Sequence, residues 1–243
     1  MTNPTAAMLV IGDEILSGRT RDSNAHHLAG RLDAYGIDLR EVRVVADDRD
    51  AIVDAVRALS AAYDQLFTSG GIGPTHDDIT AESVAAAFDA PISVREDARA
   101  ILAAHYDARG IELNAARLRM ARIPDGASLI ENAVSAAPGF SLGNAHVMAG
   151  VPKIFEAMLD ALLPSLAHGA ARQVRQVEIV RGEGDIAEAL SSVAETYPSI
   201  AIGSYPTSRD GQPLVRILLR GDEVGMLDEA EKKVRDLLDE PAS

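Results

Sequence analysis

The stretch Ala6–Ile11 is an unbroken apolar run that stops at Gly12. A strand with one wet face alternates apolar and polar residues, so a run without polar interruption reads as a strand buried on both faces of a parallel sheet. The residues that follow supply the helices needed to cover such a sheet. A helical pattern follows Asn24, with Leu28, Leu32 and Tyr35 on one side and Gly36 as its stop. Leu39–Val45 reads as a second strand, and Asp50 is expected to cap a helix carrying Ile52, Val53, Val56 and Leu59. Gln65–Thr68 reads as a short third strand. Helices are predicted over Asp78–Phe88, Glu96–Arg109, Asn114–Ala121 and Pro152–Leu166, with short strands at Leu129–Ile130 and His146–Met148. Strands alternating with helices predict an α/β fold: a three-layer αβα arrangement around a mostly parallel sheet, with right-handed crossovers. Ligands on such sheets bind beyond the carboxyl ends of strands. The loops after Ile11 and Thr68 should therefore open on one edge.

The pattern changes at the small residues Ala167–Ala171. Beyond them, strands are predicted at Val174–Arg181, Ser199–Tyr205 and Leu214–Arg220, with helices at Asp185–Tyr197 and Asp222–Asp239. Pro206–Pro213 reads as a turn-rich loop. Two domains are expected: residues 1–168, and a small α+β domain over 172–243.

The third strand runs into Thr68–Thr80, where Gly70, Gly71 and Gly73 are followed at once by Asp77 and Asp78. A glycine turn lets backbone N–H groups approach an anion, and a helix start attracts it. Adjacent carboxylates would repel a bare phosphate, so a divalent cation is expected between them and it. In the simpler reading, Thr75 is a helix N-cap and Asp78 its capping-box acid. That reading leaves the three glycines, Ser69, Pro74 and the second acid without a purpose. Asp13 and Glu14 stand at the end of the first strand and would face Asp77 and Asp78 across one crevice. Ala137–Phe140 and Gly150–Pro152 are turns by composition, and as a pair they would wall a pocket at that edge. Arg117, Arg119 and Arg122 lie together on a helical pattern, and His76 is the one histidine placed in the glycine loop.

Bulk properties narrow the function. A formal charge of −14 argues against nucleic acid as a partner, because such affinity comes from Lys and Arg on phosphates. The absence of cysteine removes disulfides, thiolate metal sites and cysteine catalysis. The apolar run near the start is too short for a signal peptide or a membrane span, so a cytoplasmic protein without a membrane partner is expected.

Thr68–Thr80 resembles the signature of the molybdopterin-binding domain shared by MogA, MoaB, MoeA and CinA proteins. Gly12–Leu16, Asp22–Asn24, Gly70–Asp78, Ala137–Phe140 and Gly150–Pro152 follow the order and spacing of the CinA branch. The resemblance covers residues 5–168, and the surroundings of Gly203–Pro206 are similar to the small domain that follows in CinA and in eukaryotic FAD synthases. It implies a pocket for a phosphorylated pterin, molybdopterin included, or for a dinucleotide. Three activities are associated with the family: adenylyl transfer to molybdopterin with Mg²⁺, metal-dependent pyrophosphatase action on ADP-ribose, and FAD hydrolysis. It also implies Asp13 and Asp78 as catalytic residues, and Asp13, Asp77, Asp78 and Glu82 around a Mg²⁺, Mn²⁺ or Co²⁺ ion. Ser69, Gly70, Gly71, Gly73, Thr75, Asn24, Pro138, Gly139 and Gly150 would then hold the ligand, in a chain that self-associates. CinA proteins commonly carry a deamidase domain beyond this point, and that activity is expected to be absent. Lys153-Ile154 after Gly150-Val-Pro152, and Glu131 before Asn132, depart from the family's usual residues.

Overall fold

The computed structural model describes residues 3–239, with side chains to residue 236. The chain divides between Gly169 and Ala170 into two compact units.

The first unit runs β1 (Thr5–Ile11), α1 (Asp13–Leu16), α2 (Asn24–Ala34), β2 (Asp38–Val45), α3 (Arg49–Ala62) and β3 (Gln65–Ser69). There follow α4 (Thr80–Ala87), β4 (Ile92–Val94), α5 (Glu96–Asp107), α6 (Ala115–Leu118), β5 (Arg122–Pro124) and β6 (Ser128–Ile130). The unit ends with β7 (Gly139–Leu142), β8 (Ala145–Met148) and α7 (Pro152–Leu162). Six strands form the main sheet in the order β2-β1-β3-β8-β7-β6, and β4 pairs with β5 apart from it. β2, β1, β3 and β8 are mutually parallel, while β7 runs against both β8 and β6.

The predicted burial of β1 on both faces holds residue by residue. Ala7, Leu9 and Ile11 pack with Ile52, Val56 and Leu59 of α3 and with Val84 of α4. Ala6, Met8 and Val10 point the other way, onto Leu28 and Leu32 of α2 and Phe155 and Leu159 of α7. These side chains are almost fully buried, and each such Leu, Ile or Phe contributes about 1.5–3 kcal/mol by leaving water. The chain goes from β1 to β2 on one side and returns to β3 on the other. That reversal opens a crevice at the carboxyl ends of β1 and β3.

Several boundaries differ from expectation. Asp48, not Asp50, caps α3: its carboxylate accepts from the Ala51 N–H at 2.9 Å. α4 starts at Thr80 after an Ile79 cap without a side-chain bond, so Thr75 caps no helix. Instead the Thr75 N–H and hydroxyl both donate to Asp78 Oδ2, at 2.7 and 2.5 Å, closing a turn of their own. Asn114–Ala121 is one helical turn, capped by Asn114, and then a 3₁₀ turn over Arg119–Ala121. Gly139 and Phe140, expected in a loop, begin β7.

The second unit contains β9 (Gln173–Ile179), α8 (Glu183–Thr196), β10 (Ala201–Arg209), β11 (Gln212–Gly221) and α9 (Val224–Asp239). Its antiparallel sheet has the order β10-β11-β9. Val177, Val215, Ile217 and Leu219 of the sheet pack with Ile186 and Val193 of α8 and Leu227 of α9. The expected loop over Pro206–Pro213 is a hairpin. Strand pairing continues to Arg209 and Gln212, and only Asp210-Gly211 turn, with φ of 53° and 78°. Positive φ at both positions makes the tight turn that matches strand twist. Pro206 is tolerated because β10 is an edge strand.

Candidate functional site

A cavity of about 400 Å³ opens at the crevice predicted by the strand order. Gly12 and Glu14 reach it from the end of β1, Asp47 from the end of β2, and Gly70, Gly71 and Gly73 from the end of β3. The loops at residues 12 and 70 therefore converge. Their contact is close: a Cβ on Gly70 would drive into the Ile11 carbonyl oxygen, and Gly70 has φ 110°. Gly71, with φ 68°, lies against the Thr80 hydroxyl. Thr80 locks the turn to α4, its N–H donating to the Gly71 carbonyl at 3.0 Å and its hydroxyl to the Gly70 carbonyl at 2.9 Å.

Asp77 and Asp78 complete an acidic side of this cavity with Glu14 and Asp47. Asp78 Oδ2 is engaged by Thr75. The Asp77 carboxyl is held below its usual range, chiefly by the polar Thr75 side chain beside it, then by its own N–H and by nearby His76. The Asp13 N–H donates to Asp47 Oδ2 at 3.0 Å. Burial pushes the Asp47 carboxyl up, the Asp13 N–H works against this, and the charges of Asp13, Glu14 and Asp77 push it up further. The lining also has an apolar part, with Ile72, Met120, Ile154 and Met158.

The structure places the expected site residues in three groups. Gly70, Gly71, Gly73, Asp77, Asp78 and Gly150 line the cavity. Asn24 and Ser69 are buried beside it, bordering a narrow cleft that shares Glu14 and Gly150 with the cavity. Asn24 Nδ2 donates to Ser69 Oγ at 2.7 Å and to the Gly150 carbonyl at 2.8 Å, which ties α2, β3 and the loop after β8 together. The remaining residues stand off. Thr75 braces Asp78 without lining the cavity, Pro138 backs the glycine turn from a cleft behind it, and Gly139 is buried in β7 against the Val147 carbonyl.

Two acids depart from the expected arrangement. Glu82 does not reach the cavity: α4 turns it toward Arg122, with which it pairs, and Arg119 Nη2 lies 4.0 Å from it. Asp13 and Glu14 are both exposed, but only Glu14 lines the cavity. Arg119 donates to the Asp78 carbonyl at 3.2 Å, whereas Arg117 stacks over Tyr106 and bonds the Glu112 carbonyl. Asp47 and Ser135 were not singled out from sequence. Asp47 sits immediately before a capping aspartate, and its position past the end of β2 was the available signal. Among the described residues no Lys, Arg or His lines the cavity, and no three Asp, Glu, His or Cys side chains form a ready-made metal cage. Also among these residues, no helix is long and apolar enough to cross a membrane.

A glycine turn opening on a cavity at the reversal point of a mostly parallel sheet places this unit among the α/β domains that carry a crevice at the carboxyl ends of their strands. The chain belongs to the family described as "probable molybdopterin binding domain", whose model matches residues 7–168. Residues 172–242 match the middle domain of FAD synthase. The crystal structure of a CinA protein of unknown function from Thermoplasma acidophilum superposes with a TM-score of 0.62 at 36% identity, covering 68% of this chain and 99% of that one. A protein from Caldivirga maquilingensis is 33% identical over 95% of this chain and 91% of its own length. A probable FAD synthase from Caenorhabditis elegans is 32% identical over 96% of this chain, which spans 50% of that protein.

Proposed function

We propose that the chain binds a dinucleotide such as ADP-ribose or FAD together with a divalent cation, and hydrolyses its pyrophosphate. The observation that carries this reading is the meeting of the Gly70–Gly73 cradle with four carboxylates in one cavity that has no basic side chain. Phosphates entering alone would be repelled. A Mg²⁺-type ion, which takes one or two carboxylates and completes its shell with phosphate oxygens and water, fits this donor set better than it fits a closed protein cage. Asp77 and Asp78, with Glu14 or Asp47 across the crevice, are the residues to hold it. Bound there, the ion would withdraw charge from the phosphoryl group and lower the pKa of a bound water. The glycine N–H groups would orient one phosphate, Thr75 would keep Asp78 in place, and the apolar wall would exclude bulk water.

The test is a screen of ADP-ribose, FAD and related dinucleotides against Mg²⁺, Mn²⁺ and Co²⁺, with products resolved by mass. Cleavage to two monophosphates is expected. Asp78→Asn should lower turnover about tenfold to a hundredfold, with an unchanged unfolding midpoint. Turnover equal to that of the parent protein would remove Asp78 from the mechanism.

The second reading is a binding module that holds molybdopterin or a nucleotide without turnover. It is favoured by the family description of residues 7–168 and by the lack of a preformed metal cage among the described residues. It predicts saturable binding by calorimetry with no product after long incubation.

A further inference from the structure

The cavity is chemically lopsided, and the strand order shows how. Asp47 and Glu14 belong to the ends of β2 and β1, whereas Ser135 and Ala137 precede β7, and Ile154 lies on α7 after β8. In the sheet these groups fall on opposite sides of β3 and its glycine turn. From β2 to β7 is four strand spacings, roughly 19 Å at the usual strand separation. An extended ligand with its phosphates at the turn would thus lay its far end against the apolar wall.

Two polar side chains, Asn132 and Ser135, stand at that end. Asn132 is buried, and its orientation is fixed from both sides. Its Oδ1 accepts from the N–H groups of Val134 and Ser135, at 3.0 and 3.1 Å. Its Nδ2 donates to the Ala137 carbonyl at 2.8 Å and to Ser135 Oγ at 2.7 Å. The amide nitrogen must donate, so the Ser135 oxygen must accept, and the Ser135 hydrogen points elsewhere. Among the described residues no protein acceptor takes it. The other polar side chains of the lining are four carboxylates, which only accept when ionised, and Asn132, whose amide hydrogens are both used. Among the described residues, the Ser135 hydroxyl is the one uncommitted side-chain donor lining this cavity.

We propose that Ser135 is a specificity-determining residue: it donates a hydrogen bond to a ring nitrogen or keto oxygen of a flat heterocycle seated between Met120, Ile154 and Met158. The proposal rests on the reading of this cavity as a phosphate-cation site, and assigns its other end. A ligand with phosphates but no ring would bind without using Ser135. A ring lacking an acceptor at this position would leave the hydroxyl unpaired and be disfavoured.

The test is calorimetric binding, with Mg²⁺, of two uncleavable probes: the α,β-methylene analogue of ADP-ribose, which carries a ring, and methylenediphosphonate, which does not. Ser135→Ala should weaken the first about fivefold to tenfold, the range of one neutral hydrogen bond, and leave the second unchanged. Ser135→Thr, which keeps the hydroxyl, should stay within about twofold of the parent protein. Unaltered binding of the ring probe to Ser135→Ala overturns the assignment while the cation-phosphate reading stands. Equal weakening of both probes, or no recovery in Ser135→Thr, also overturns it, because the loop rather than the donor would then be responsible. If the parent protein binds neither probe, the underlying reading fails with it.

Discussion

Gly70→Ala should destabilise the first unit by roughly 2–6 kcal/mol and abolish the phosphate-dependent binding proposed for it. Two costs combine. The backbone holds φ at 110°, where an L side chain is strained by roughly 1–3 kcal/mol. The new methyl would also strike the Ile11 carbonyl, a backbone atom of central strand β1 that has no rotamer to yield, and overpacking of this kind adds roughly 1–3 kcal/mol. Relief would come only by parting the ends of β1 and β3, which opens the cavity at its floor. Gly18 provides the control: it has φ 71° but nothing near its Cβ position. Gly18→Ala should cost about 1 kcal/mol and leave binding intact. Urea unfolding of both variants decides between strain and collision, and equal losses would remove the collision.

The second large effect concerns pH. His146 on β8 is 4% exposed, and burial lowers its pKa from 6.5 to about 4. Its ring nitrogens are both used, Nδ1 with Ser141 Oγ at 2.8 Å and Nε2 with Gln65 Oε1 at 2.7 Å. The carbonyl of Gln65 only accepts, so Nε2 carries the proton and Nδ1 accepts from Ser141. A second ring proton would turn the Ser141 hydroxyl from donor to acceptor and bury a charge. The unfolded chain binds that proton more readily, so stability is full above pH 6.5 and is lost as pH falls toward 4. The expected loss is roughly 3 kcal/mol, from about 2.5 pKa units at 1.36 kcal/mol each. His146→Gln should be less stable at pH 7 yet lack this component of the acid sensitivity. Parallel denaturation curves at pH 7 and 4.5 measure the difference, and an equal pH slope in both proteins would rule His146 out.

The sheet and the glycine cradle were legible because their signals are local. β1 is a continuous apolar run, and the three glycines and two acids lie within a single loop. Signals that depend on the direction of a side chain were not. Glu82 lies one turn beyond the acids along the chain, but the rotation of α4 takes it to Arg122. Asp13 and Glu14 are adjacent, and the short helix α1 decides which of them lines the cavity. Asp47 looks like part of a capping signal because Asp48 is one. The hairpin at Asp210-Gly211 was hidden by the two flanking prolines, although an Asp-Gly pair is itself a strong tight-turn signal. The role of Ser135 depends on which way Asn132 points, and that is set by backbone N–H groups no linear pattern displays.

Asn24 joins points 45 and 126 residues away along the chain. Contacts of such long range require the closure of long loops, which is entropically costly and slow. Competence to bind should therefore be acquired with the slowest refolding phase, after helicity has returned, and Asn24→Ala should separate the two by leaving early helix formation unchanged while the binding signal falls. On the proposed reading of the site, a fluorescent nucleotide present during refolding would act as a clock for the final closure of the chain.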